Sequence, residues 1–269
     1  MSLLQRLSNM NPIIVTIFAG IFTWLMTALG AGLVIFLKNL SDKLTNIMLG
    51  FASGVMLAAS FWSLLDPAIE MSSNLGRLSF LPALIGFVAG GIFLRIIDKI
   101  VPHMHIASKQ KDGSESHLSN SALLMLSITI HNIPEGLAVG VAFGAIAKGD
   151  VAALMSAIIL TIGIGIQNLP EGAAVSIPLR ANGMNRVKAF NYGQLSAIVE
   201  PISAILGCAL VQVVTPILPY ALAFAAGAMV YVVSEELIPS SQKGGGADLA
   251  TMALIAGFCI MMTLDVALG

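Results

Sequence analysis

The sequence predicts an all-α membrane protein of eight spanning helices built around an inverted repeat, and three observations carry that prediction. Of 269 residues, 57% are hydrophobic and only 10% are charged, against about 25% charged in soluble domains. The apolar stretches come in lengths near the roughly 20 residues that a helix needs to cross a bilayer. Finally, Ile130 to Val139 (IHNIPEGLAV) and Ile166 to Val175 (IQNLPEGAAV) agree at seven of ten positions, 36 residues apart.

Taken in order, the spans fall at about 13–37, 45–65, 79–98, 121–146, 151–177, 188–213, 217–238 and 248–268 of a single transmembrane domain, 1–269. The first follows Asn11 and continues for about 25 residues without a small-residue cleavage site, which makes it a spanning helix rather than a signal peptide. In spans 2 and 3, Gly50, Gly54, Gly86, Gly90 and Gly91 predict close helix packing. The connection 99–120 is the one long polar loop. Spans 4 and 5 carry the two motif copies, and span 6 contains Glu200 followed by Pro201, the only other acidic residue placed well inside a span. Span 7 echoes span 2, with LAFAAGAM at Leu222–Met229 against LGFASGVM at Leu49–Met56, an offset of 173. Cys208 and Cys259 sit within apolar segments, which leaves no disulfide framework and no C-x-x-C motif.

Basic residues set the orientation. With the N-terminus outside, the inner flanks collect Lys38, Lys43, Arg95, Lys99, Lys109, Lys111, Arg180, Arg186, Lys188 and Lys243, and the outer flanks only Arg6, Arg77 and Lys148. Both termini then face outward and loop 99–120 is cytoplasmic. Spans 2 and 7, like spans 4 and 5, cross in opposite directions while resembling each other, the pattern in which a substrate site lies at mid-membrane between inverted repeats. A net charge of −1 excludes a nucleic-acid binder with a broad basic face.

The chemistry is concentrated in the motifs. His131 and Glu135 are one helical turn apart on one face, with Asn132 on its flank, and Gln167, Asn168 and Glu171 repeat the arrangement. Pro134 and Pro170 each remove an amide donor and crowd the carbonyl four residues back, predicting kinks beside the carboxylates. Polar groups in membrane helices can serve only to join helices. An unpaired carboxylate at mid-membrane, however, costs about 2.5–3.5 kcal/mol or more, and Glu135, Glu171 and Glu200 bring three. One or two divalent cations balance them, and a set of carboxylate and amide oxygens with one imidazole suits Zn2+, Mn2+, Fe2+, Co2+ and Cd2+ better than Cu+. Asp66 and Glu70, after span 2, are candidates for an outer entrance. Asp98, His103 and His105 adjoin Glu235 and Glu236 on the inner side, a candidate exit.

H-N-x-P-E-G in span 4, Q-N-x-P-E-G in span 5, Glu-Pro in span 6 and a His-bearing loop between spans 3 and 4 resemble the ZIP (Zrt/Irt-like) metal transporters, specifically their prokaryotic GufA-type branch. The resemblance covers essentially the whole chain. It implies a three-plus-two-plus-three inverted-repeat bundle, usually dimeric, in the cell (inner) membrane, and a carrier with Zn2+ as transported substrate, often also Fe2+, Mn2+, Co2+ or Cd2+, moving into the cytoplasm. It assigns one metal site to His131, Glu135, Gln167 and Glu171, and a second to Asn132, Glu135, Asn168, Glu171 and Glu200. It also assigns exit ligands to Asp98, His103, His105 and Glu236. Gln167 stands where many relatives have a second His, Asn168 where some have Asp, and Glu235 where a His can occur; the first two lower the charge or donor strength of the cage. Two other readings compete: a selective divalent-cation channel on the same cage, and an intramembrane metallo-hydrolase, which lacks an H-E-x-x-H motif and a spare general base.

Overall fold

The computed structural model describes residues 3–37, 41–101, 103–104, 111–112, 120–181, 183–213, 215–243 and 246–268. Short α1 (Leu3–Leu7) precedes α2 (Pro12–Gly32), which tightens into a 3-10 turn at Leu33–Ile35. Then follow α3 (Asp42–Ala59), α4 (Asp66–Glu70), α5 (Phe80–Ile100), α6 (Asn120–Gly144), α7 (Val151–Ala181), α8 (Arg186–Leu195), α9 (Val199–Val213), α10 (Leu218–Val232), α11 (Ile238–Ser241) and α12 (Ala247–Leu268). Among the described residues the only strands are a two-residue antiparallel pair in the long loop, His103 opposite Asp112 and Met104 opposite Lys111. His105 lies outside the described residues.

Seven segments, 12–35, 42–70, 80–100, 151–177, 186–213, 218–241 and 247–267, are long and apolar enough to cross a membrane. The remaining expected span is the 25-residue α6, which lies outside that set and packs against α9, α10, α2 and α7. Outward faces are apolar: Phe18, Leu25 and Leu29 on α2, Val88 and Ile92 on α5, and Leu206 and Leu210 on α9 are all exposed. This is a multi-pass membrane protein.

Helix starts follow from side chains that accept the orphan amides of a first turn. Asn11 Oδ1 accepts from Ile13 N at 2.9 Å, with Pro12 in the first turn of α2, and Ser41 Oγ accepts from Leu44 N at 3.2 Å. Asp150 Oδ1 and Asn185 Oδ1 do the same for Ala153 N at 3.0 Å and Lys188 N at 2.9 Å. Interior irregularities follow from proline. The segments holding α3 and α10 each widen into a π-helical turn, Ser60–Leu65 and Val233–Leu237, and Pro67 and Pro239 follow. A proline ring crowds the carbonyl four residues earlier, here on Ser63 and Glu235, and the widened turn relieves that contact. By contrast, α6 and α7 stay helical through Pro134 and Pro170.

The most extensive helix pairs are α3 with α12, α5 with α10, α6 with α9 and α2 with α7. Their closest approaches recur in register. A Cβ added at Gly54 would strike the Leu254 carbonyl and one at Gly227 the Phe87 carbonyl; one at Gly90 would strike the Phe224 carbonyl and one at Gly257 the Phe51 carbonyl. Positions on α3 map onto α10 at offset 173, and positions on α5 onto α12 at offset 167. Likewise Gly172 abuts the Thr27 carbonyl and Gly136 the Glu200 carbonyl, where 27 and 200 again differ by 173. Gly50 and Gly86 pack equally tightly, against the Ala250 and Tyr220 carbonyls. Gly91 departs from expectation: its nearest neighbour, the Gly227 carbonyl, would lie 3.9 Å from an added Cβ, an ordinary contact.

Candidate metal centre

Four helices, α2, α6, α7 and α9, enclose the motif residues, with α2 and α6 each packed against the other three. His131, Asn132 and Glu135 project from α6, Gln167, Asn168 and Glu171 from α7, and Glu200 from the first turn of α9. All seven are buried; Glu135, Gln167, Asn168 and Glu200 have no exposed surface at all.

Span 6 does not run straight to Glu200. It is interrupted at residues 196–198, between α8 and α9. Pro201 has no N–H for the Ala197 carbonyl and its ring crowds that oxygen; the carbonyl accepts instead from Glu200 N at 3.0 Å, a one-residue-tighter turn. The Ser196 carbonyl, released by the same break, accepts from Asn132 Nδ2 at 3.1 Å. Unwound backbone in a membrane persists where such partners supply its hydrogen bonds. Sequence and site are thus linked through one proline.

The other amide is anchored in a similar way. Asn168 Nδ2 donates to Glu200 Oε2 at 2.8 Å and to the Thr23 carbonyl at 3.2 Å. Thr27 Oγ1 reaches Glu200 Oε1 at 3.4 Å. With both Nδ2 groups turned away, Asn132 Oδ1 and Asn168 Oδ1 are left buried without a hydrogen-bond partner, together with both oxygens of Glu135 and both amide atoms of Gln167. Gln167 lies beside Glu135 but outside hydrogen-bonding geometry. The carboxylates sit within electrostatic reach of one another, Glu171 and Glu200 acting on Glu135 and Glu200 on Glu171. Buried polar atoms are nearly always satisfied, so a cluster of orphans calls for a missing partner. Five of the six are oxygens, and the adjacent charges are negative, which specifies a cation.

Among the described residues, no three His, Cys, Asp or Glu side chains close together as a finished coordination shell. The donor set is mixed, with the amides of Asn132, Gln167 and Asn168 matching the three carboxylates in number.

Toward the expected exit, Asp98 is buried at the end of α5 and accepts from Tyr231 Oη at 2.6 Å. Glu235 and Glu236 share the π-helical turn but diverge, Glu235 exposed and Glu236 buried. His103 enters through its backbone pairing alone, and its side chain, like all of His105, lies outside the described residues. Asp66 and Glu70 are exposed on α4.

Near the end of α12 stands a buried acid that the sequence reading did not single out, Asp265. It is 9% exposed, and its Oδ1 accepts from Ser63 Oγ at 2.7 Å while Oδ2 is buried without a partner. Its position is Asp98 plus 167, the offset that relates α5 to α12, and that repeat is the signal that could have found it. Thr23, Thr27 and Ser196 were also missed, since they act through two carbonyls and a hydroxyl that no local pattern marks.

The family model described as ZIP Zinc transporter matches residues 12–122 and 103–265. The zinc transporter ZIP11 of Bos taurus is 42% identical over 96% of this chain and 98% of its own length. The zinc transporter GufA of Myxococcus xanthus is 38% identical over 93% and 98%, and the zinc transporter ZIPB of Bordetella bronchiseptica 36% identical over 94% and 81%.

Proposed function

Because this chain belongs to the ZIP zinc transporter family, we propose that it is a secondary carrier for divalent transition-metal cations, Zn2+ first and Fe2+, Mn2+, Co2+ and Cd2+ after it. The family is one of transporters and not of enzymes, which removes the metallo-hydrolase reading. The observation that carries the proposal is the set of six unpartnered buried atoms on Asn132, Glu135, Gln167 and Asn168, all belonging to the duplicated motif. The cation moves into the cytoplasm by alternating access through one or two sites formed by His131, Asn132, Glu135, Gln167, Asn168, Glu171 and Glu200. Desolvated oxygens replace its hydration shell, and selection among divalent ions comes from geometry rather than raw affinity.

The architecture proposed with this function is eight spans with both termini outside, in a three-plus-two-plus-three inverted repeat in the inner membrane, assembled as a homodimer. The repeated offsets of 173, 167 and 36 in the glycine contacts and motif copies support the inverted arrangement. Asp66 and Glu70 serve an entrance; Asp98, His103, His105, Glu235 and Glu236 serve the exit.

Uptake of radiolabelled Zn2+ or Cd2+ into membrane vesicles is the test. Glu135→Ala and Glu171→Ala abolish it, and transport by either variant at the wild-type rate removes the proposal. Saturable, slow uptake identifies a carrier, whereas unitary currents in planar bilayers would make the protein a channel on the same cage.

A further inference from the structure

The three carboxylates of the centre are held in unlike ways. Both oxygens of Glu135 are without partners, whereas both oxygens of Glu200 are tied, one by Asn168 and one by Thr27. A carboxylate offers about four lone-pair directions, so each tied oxygen of Glu200 keeps a lone pair for a cation. The ties fix where that lone pair points.

Thr27 stands on α2, in a span to which the sequence assigns no polar role, and is only 1% exposed. Its hydroxyl reaches two acceptors, Glu200 Oε1 and the Thr23 carbonyl, both at 3.4 Å. The Thr23 carbonyl also accepts from Asn168, so Thr23, Thr27, Asn168 and Glu200 form one closed network joining α2, α7 and α9. Its place in the repeat is equally specific. Residues 27 and 200 are 173 apart, and Gly172 and Gly136 of the two motif copies press against their respective carbonyls. Thr27 is therefore the position at which the first half faces the centre where the second half supplies Glu200: one half contributes the charge and the other the hydroxyl that orients it.

We propose that Thr27 is a positioning residue of the transport site, holding the Glu200 carboxylate in the orientation that receives the divalent cation. It acts through Glu200 and is not itself assigned as a ligand. The assignment rests on the metal-centre reading above, and deepens it by adding a first-span residue to the machinery. Losing a group that orients a ligand typically weakens metal affinity by about tenfold or more.

Equilibrium binding of Cd2+ to purified full-length protein tests it, alongside vesicle uptake. Thr27→Val, which keeps the shape and removes the hydroxyl, raises Kd and KM by about tenfold, while Thr27→Ser binds as wild type does. In a Glu200→Gln background Thr27→Val produces no further loss, because the carboxylate it orients is gone. Should Thr27→Val not fold, Thr27→Ala takes its place against the same Ser rescue. The proposal is overturned if Thr27→Val binds like wild type, if Thr27→Ser is as weak as Thr27→Val, or if the loss persists undiminished in Glu200→Gln. Glu135→Ala separates the two levels: if it retains wild-type Cd2+ affinity, the metal-centre reading itself fails and takes the Thr27 assignment with it. If it loses binding while Thr27→Val does not, only the role of Thr27 is withdrawn.

Discussion

Glu135, with neither oxygen hydrogen-bonded and no exposed surface, is the least compensated group in the centre. Such a residue favours function at the expense of the cation-free fold. Glu135→Gln keeps the shape and removes the charge, so in chelator it stabilises the protein by about 2 kcal/mol in denaturant titrations while uptake is lost. A variant less stable than wild type under those conditions would contradict the account of Glu135 as an unbalanced charge. The second isolated acid behaves in the opposite sense. Ser63→Ala strips Asp265 of its donor and costs about 1–3 kcal/mol, and Ser63→Ala with Asp265→Asn recovers part of that loss; equal stability of Ser63→Ala and wild type would show the pair to be incidental. Seven buried polar side chains of the candidate centre were legible in the sequence, six in the motif copies and Glu200 beside Pro201, because a carboxylate, imidazole or amide in an apolar run stands out. Thr23, Thr27 and Ser196 were not, because two of them serve through backbone oxygens and the chain separations to their partners, 64 to 173 residues, carry no local pattern.

Among the elements, span 6 shows most clearly how a prediction can be right in place and wrong in form. Its apolar run reads as one helix over 188–213, yet the helix breaks at 196–198. Leu195, Ala197, Ile198 and Val199 look helical, and the cause sits beyond them, since proline acts on the carbonyl four residues back. Pro201→Ala returns an N–H to that position and lets the helix close across the break. Asn132 then loses its acceptor on Ser196, and Zn2+ uptake falls by about tenfold or more without loss of thermal stability. Uptake at the wild-type rate would show the break to be dispensable. The π-helical turns at Ser60–Leu65 and Val233–Leu237 were invisible to hydropathy for a related reason. An inserted residue alters which side chains face inward but not how apolar the run is.

For the molecule as a whole, the recurring glycine contacts make a quantitative demand. Gly54→Ala and Gly227→Ala, at equivalent places, each destabilise by about 1–3 kcal/mol or more and by similar amounts, whereas Gly91→Ala stays within about 0.5 kcal/mol. Thermal unfolding of the three variants in detergent checks this, and a large difference between the first two would break the equivalence. Orientation is checked separately: tags fused ahead of Met1 and after Gly269 are cleaved by protease added to spheroplasts, while one inserted at residues 113–116 is protected. If the two halves mesh through the same collisions while crossing the bilayer in opposite senses, a rearrangement that opens one face has a counterpart of nearly equal energy that opens the other. Outward-open and inward-open forms are then close to isoenergetic by construction, and their balance is tilted by the few places where the halves disagree, such as glutamate against threonine at 200 and 27, or tyrosine against alanine at 231 and 58. Replacing a residue at one of those mismatches shifts the resting population between the two faces, and the cargo ion itself need not be touched.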